Sequence, residues 1–372
     1  MTEVSYRFAA RMLRNACNVM RRQHEELMAG PTGKLAPPPL YGFDDVEALD
    51  HVVEKHQPGV PIQLGHGVTA VFWDAGHIPG AAGVLLDEGP GGKTFFYTGD
   101  TCGGAQLLLP GATYPTGPID TLLTESTYGG NPAADATQRE DVAEAFCAAV
   151  AKVVARGGRV LAPVFALGRA QEILFALWRA GRQGRLPSVP IYMGGLAVAL
   201  SRLYDETRHD SPRVDPTLRL SQLGFLVLDE RAIADGAPGR PSVALASSGM
   251  MQPKTFSNRL ARDILVEEDA ALFIVGYQDP DSAGYRVQHS RLGEPVDLGD
   301  GLPPVIRRCA LERFHFSGHS KRIELVRAAA QMQPRQTVVV HGDPGGGASL
   351  GDTFREAGSR VTLPEPCVPY DL

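Results

Sequence analysis

The sequence holds no paired cysteines. Its five, Cys17, Cys102, Cys147, Cys309 and Cys367, are scattered, odd in number and free of any C-x-x-C spacing. That argues against a disulfide framework and for buried thiols in a reducing compartment. No apolar run approaches the roughly 18 residues a bilayer span needs. The N-terminus is amphipathic and has no apolar signal core. The chain is therefore expected in the cytoplasm, with no membrane contact. A global excess of base is missing too. Lys and Arg number 36 against 42 Asp and Glu, a formal charge of −6. This counts against whole-surface attraction to nucleic acid, although a local groove can still be basic. There is no internal repeat and no low-complexity segment.

What is present is ordinary for a soluble globular protein: 43% hydrophobic and 21% charged residues. The 372 residues suffice for two or more domains, or one large one. The 42 glycines and 29 prolines imply many tight turns. Val4, Phe8, Met12, Leu13, Ala16, Val19 and Met20 recur at helical spacing and predict a helix over 4–28. A Pro/Gly loop at 30–39 and a helix at 44–56 come next. From 61 to 125 short strands with tight turns suggest an antiparallel meander.

After Gly130 the texture changes. Helices are expected at 139–155, 171–180 and 196–204, and strands at 159–163, 190–193, 225–228, 243–246 and 272–276. This alternation implies a doubly wound, largely parallel sheet, inserted between two parts of the first domain. Strand texture returns from about 303. A strand at 310–316, a helix at 322–332 and a strand at 337–340 lead to a flexible turn at 344–347 and a helix at 349–357. The expected domains are 1–130, 131–302 and 303–372.

Polar residues gather at the ends of apolar runs. His77 comes after a strand in Ala-Gly-His-Ile-Pro-Gly, Asp100 ends Tyr-Thr-Gly-Asp, and Glu125 opens Glu-Ser-Thr-Tyr-Gly. His319 stands in Phe-Ser-Gly-His and His341 in Val-Val-His-Gly. Taken alone, a His or Asp at such a turn is more often a structural or capping residue than a ligand. Together they suggest a metal or acid–base rim at one edge of a sheet. A bridging Asp with His ligands is what a two-metal hydrolase needs to activate water and hold a phosphate.

These five segments resemble the motifs of the metallo-β-lactamase fold and, within it, of the β-CASP family of nucleic-acid-processing nucleases. The resemblance covers almost the whole chain. It implies an α/β fold, an αββα metallo-β-lactamase sandwich carrying an inserted doubly wound β-CASP domain. It implies Zn2+, two ions in the complete family site. His77, Asp100 and His341 would be metal ligands, with Asp100 bridging. Glu125 and His319 would assist the leaving group at the scissile phosphate. A His in the last motif is similar to the RNA-acting branch, so RNA is the implied partner. Pro-Val-Phe-Ala-Leu-Gly-Arg-Ala-Gln-Glu at 163–172 resembles the signature of the inserted domain. There the turn into the helix can offer backbone N–H groups and Arg169 to a phosphate. Ser247-Ser248-Gly249 resembles a family turn near the cleft, which makes Ser247 and Gly249 substrate-binding candidates.

Two features depart from that family. Its His-x-His-x-Asp-His motif, which supplies four metal ligands, is absent from this sequence. The chain is therefore expected to be N-terminally incomplete and impaired or inactive as a hydrolase by itself. The other reading is a non-catalytic RNA-binding protein, or a partner subunit of an active relative, as a homodimer or with another β-CASP chain. The second departure is Lys321, two residues after His319, where relatives often carry an acid. It would alter support of His319 or favour phosphate contact.

Overall fold

The computed structural model describes residues 1–30 and 37–370. The loop expected at 30–39 therefore falls mostly outside the described residues. Two helices open the chain, α1 (Glu3–Ala29) and α2 (Phe43–Val52). Five strands come next: β1 (Ile62–Gly65), β2 (Val68–Asp74), β3 (Ala82–Asp87), β4 (Thr94–Tyr97) and β5 (Thr121–Glu125). Helices and strands then alternate as α3 (Arg139–Ala155), β6 (Arg159–Pro163), α4 (Arg169–Arg182), β7 (Ile191–Gly194), α5 (Leu196–Glu206), β8 (Leu226–Leu228), α6 (Glu230–Ala234), β9 (Ser242–Ala246), α7 (Phe256–Leu265), β10 (Ala271–Ile274) and α8 (Ala283–His289). A short hairpin of β11 (Pro295–Val296) and β12 (Val305–Ile306) leads to β13 (Ala310–Arg313). The chain closes on α9 (Arg322–Met332), β14 (Gln336–Val340), α10 (Pro344–Glu356) and β15 (Arg360–Thr362).

The first sheet has the order β1-β2-β3-β4-β5-β14-β15. Its first four strands are antiparallel, as the meander predicts. β5 departs from it and pairs in parallel with both β4 and β14. A long excursion separates β4 from β5, and no hairpin turn forces an antiparallel return. β4, β5 and β14 therefore run the same way, and the segments after each of them emerge at one edge of the sheet.

The second sheet, β13-β10-β6-β9-β7-β8, is parallel throughout. Its central strands β10, β6 and β9 are largely buried on both faces, as a sheet covered by helices on each side requires. Val160, Ala162, Val243 and Leu245 face Phe146, Ile173, Leu174 and Leu177 of α3 and α4. The alternate residues Leu161, Ala244 and Ala246 face Leu260, Ile264 and Leu265 of α7. β13 lies beyond the expected boundary at 302, yet it pairs with β10 and belongs to this second sheet.

The expected flexible turn at 344–347 is instead the first turn of α10, with Pro344 at its start. Its glycines allow a close approach: a Cβ on Gly129 would lie 2.6 Å from the Gly346 carbonyl. Among the described residues no helix is long and apolar enough to cross a membrane. All five cysteines are free; four are buried and Cys367 is exposed.

Candidate metal and catalytic centre

The site grows from the edge where β2, β4, β5 and β14 end. His77 is reached from β2 through Gly76, whose φ of +64° and close neighbours admit no side chain: a Cβ there would lie 2.6 Å from the Cys102 carbonyl. Asp100 is reached from β4 through Gly99. Glu125 is the last residue of β5, and His341 comes directly after β14. His319 comes from the loop between β13 and α9. All five segments singled out by sequence thus converge.

The three imidazoles are contiguous. The ring centroids of His77 and His319 are 4.6 Å apart, and those of His319 and His341 are 5.7 Å apart. His77 Nδ1 lies 2.8 Å from the Gly318 carbonyl. A carbonyl only accepts, so Nδ1 carries the hydrogen and the Nε2 lone pair is free. His319 Nδ1 donates in the same way to the Glu125 carboxylate at 2.9 Å. His341 Nδ1 is 3.4 Å from Asp100 Oδ1. Thr127 Oγ1 stands between, 3.3 Å from His319 Nδ1 and 3.2 Å from His341 Nδ1.

Burial sets the electrostatics. The His77 pKa is pushed down to about 4, first by burial and then by the neighbouring His319. His77 is therefore neutral near pH 7, the form that ligates metal. Burial raises the Glu125 carboxyl, but the hydrogen bond from His319, its charge, Thr127 and the Thr101 N–H outweigh that and hold it below the ordinary range. His341 sits at φ +49°, in the left-handed region. That conformation costs on the order of 1–3 kcal/mol for a residue other than glycine and recurs at functional sites.

The donors fit zinc in type, nitrogen and carboxylate oxygen. Two groupings bring one donor atom of each residue within 4.8 Å of the others: His77, Asp100 and His319, and Glu125, His319 and His341. Both take in His319, which the sequence motifs set apart from the ligands. Each grouping offers three donors, the count a catalytic zinc usually has, but a shared His319 cannot complete both at once.

A cleft of about 450 Å³ opens beside His319. Tyr128, Arg139, His315 and Lys321 are among its walls. Arg139 Nη2 donates to the Ser317 carbonyl, while its Nη1 is buried without a partner. Lys321 Nζ donates to the Thr137 carbonyl. Both cations lean on neutral groups.

The substrate candidates in the second sheet are placed differently. Arg169 is 6% exposed. Its guanidinium donates to Gln106 Oε1 at 2.5 Å and to the Phe316 carbonyl at 3.3 Å, so it is not presented to a ligand. Burial, with Arg139 nearby, lowers its pKa to about 10, and it stays charged. Ser247 Oγ donates to the Gly194 carbonyl at 3.3 Å. A Cβ on Gly249 would lie 2.9 Å from the Phe165 backbone nitrogen. This turn is packed on the second sheet. Thr127, Gln106, Arg139 and Glu172 are site residues that the sequence does not single out. Thr127 lies inside a marked segment, and Glu172 inside the same signature as Arg169. Gln106 and Arg139 carry no pattern that marks them.

Residues 170–287 match the profile of the Beta-Casp domain, and 304–364 that of the Zn-dependent metallo-hydrolase RNA specificity domain. The chain belongs to the β-CASP family of nucleases built on the metallo-β-lactamase fold. It is 33% identical over 341 residues to Ribonuclease TTHA0252 of Thermus thermophilus, covering 89% of this chain and 75% of that protein. It is 27% identical over 311 residues to an RNase J-like protein of Methanocaldococcus jannaschii, covering 82% and 69%. It is 27% identical over 385 residues to the transcription termination factor FttA of the same organism, covering 98% of this chain but 58% of FttA.

Proposed function

We propose that this chain is a zinc-dependent RNA phosphodiester hydrolase acting in RNA processing or decay. The observation that supports it best is the run of His77, His319 and His341, with Asp100 and Glu125, gathered beside the cleft. His77, Asp100 and His341 would hold metal. When bound, zinc supplies Lewis acidity that polarises the phosphate and acidifies water. His319 is the proton carrier. Glu125 accepts its Nδ1–H and stabilises the imidazolium, which hands the Nε2 proton to the departing oxygen. Arg139 and Lys321 would lie along the phosphates of the bound strand. Both relatives with ribonuclease names support RNA as the polymer.

The 372 residues contain no His-x-His-x-Asp-His, so we further propose that this chain by itself holds fewer than two zinc ions and cleaves poorly. That absence favours one alternative, a non-catalytic RNA-binding protein or partner subunit of an active relative, whether as a homodimer or with another β-CASP chain. Elemental analysis after dialysis tests the first point: two tightly held ions would contradict it. For the RNA reading, affinity for a single-stranded oligoribonucleotide is measured from 50 to 300 mM salt. Log affinity should fall linearly, with a slope of about −0.7 per phosphate contacted. Arg139→Gln and Lys321→Gln should each flatten it by about 0.7. Binding indifferent to salt would remove RNA from the proposal. In a version supplied with the missing ligands, His319→Ala should abolish cleavage and spare zinc. Loss of zinc as well would move His319 into the ligand set.

A further inference from the structure

Arg169 is a buried cation whose polar partners are both neutral. Burying a charge is costly, and the carboxylate that offsets it, Glu172, acts through space and not through a hydrogen bond. A neutral side chain would pack the same space at lower cost, so packing alone does not account for a guanidinium there. Its contacts lead to one place. Gln106 Oε1 accepts from Arg169, which fixes the amide's orientation. The Gln106 Nε2 hydrogens then go to the carbonyls of Gly76 at 2.6 Å and His77 at 2.9 Å. The backbone of His77 is thus tied to α4 through one amide.

The ring of His77 is tied to α4 as well. It donates to the Gly318 carbonyl, and Arg169 donates to the Phe316 carbonyl two residues earlier in the same loop. The three groups are in contact: a Cβ on Gly318 would lie 2.7 Å from Arg169 Nη2 and 3.0 Å from His77 Nδ1. Glu172 lies one helical turn from Arg169, on the same face. It is 1% exposed, and its carboxylate accepts from the N–H of Leu107 at 2.9 Å and of Leu108 at 2.7 Å. Two charged side chains of the inserted domain therefore grip three consecutive residues of the first domain, Gln106, Leu107 and Leu108.

We propose that Arg169, Glu172 and Gln106 form a clamp by which the inserted domain positions His77, so that docking of the two domains and metal capture at His77 are coupled. Arg169, Glu172 and Gln106 are positioning residues; none touches substrate. The coupling is reciprocal, so a metal on His77 also tightens the docking of the domains. This rests on the reading of His77 as a metal ligand.

The test uses the full chain, metal-free, with histidine rings labelled with nitrogen-15. Long-range proton–nitrogen spectra should show the His77 ring as a single tautomer with hydrogen on Nδ1. Gln106→Glu is the decisive variant. It keeps an acceptor for Arg169 and makes an ion pair, but it has no donor for the Gly76 and His77 carbonyls, so the unfolding midpoint is read beside the tautomer. The His77 ring should then average between tautomers, as it should in Arg169→Lys and Gln106→Ala. His289, on α8, should not change. Zinc affinity by chelator competition should fall about ten- to a hundredfold in all three variants, as is usual when an outer partner of a ligand is lost. A single His77 tautomer in Gln106→Glu and Gln106→Ala, with or without a lower unfolding midpoint, would reduce the clamp to packing. If Arg169→Lys does not fold, Gln106→Glu alone decides. His77→Ala separates this from the underlying reading: unchanged zinc affinity there would sink the ligand role, whatever the tautomer data show.

Discussion

At the scale of single residues, the site is a set of opposed preferences resolved by neighbours. Glu125 is almost wholly buried, which by itself favours the neutral carboxyl, and donors from His319, Thr127 and Thr101 reverse that. Glu125→Gln removes the charge that holds His319. It should cost about 1–3 kcal/mol, read from the denaturant midpoint. No change in midpoint would mean that His319 is held by its loop alone. His341 illustrates the opposite case, a residue kept in a conformation it disfavours. His341→Asn suits the left-handed region and should leave stability within about 0.5 kcal/mol while zinc content falls. A large loss of stability would show that the imidazole is held there by packing. None of this is visible in sequence. A His in a turn looks the same whether its neighbours are three residues or two hundred residues away.

At the scale of elements, strands do most of the positioning. β4, β5 and β14 are parallel, so their C-terminal ends meet at one edge, and tight turns aim the residues beyond them. The apolar runs and the turns after them are legible in sequence, because burial on both faces leaves continuous hydrophobic strands. The parallel pairing of β5 is not, since pairing depends on which strand is adjacent, and short apolar runs do not encode that. The start of α10 escapes sequence for a related reason. A run of three glycines at 345–347 has low helix propensity, about 1 kcal/mol per residue against alanine. Close packing on 126–130 overrides it. Gly129→Ala sets a Cβ 2.6 Å from the Gly346 carbonyl and 2.9 Å from Leu350 Cβ. It should cost about 1–3 kcal/mol by overpacking. Thermal unfolding of the variant measures this, and an unchanged midpoint would mean that α10 can shift freely.

At the scale of the whole molecule, buried polar contacts join the two sheets, and Glu172 makes two of them. Glu172→Ala leaves the N–H groups of Leu107 and Leu108 without partners. That should cost about 2 kcal/mol or more and speed proteolysis between the two sheets. Cleavage at the wild-type rate would show that apolar packing alone holds them. The sequence by itself determined the family, the alternation of elements and the five segments that meet at the candidate site. These depend on local periodicity and on short segments whose chemistry is carried by neighbours in the chain. Only the tertiary structure decided that Arg169 faces inward to Gln106 instead of outward to a phosphate. It also decided that β13 joins the second sheet and that His319 lies between His77 and His341. Those outcomes depend on contacts between residues 39 to 241 positions apart, where the energy is set by which surfaces meet and not by any local pattern.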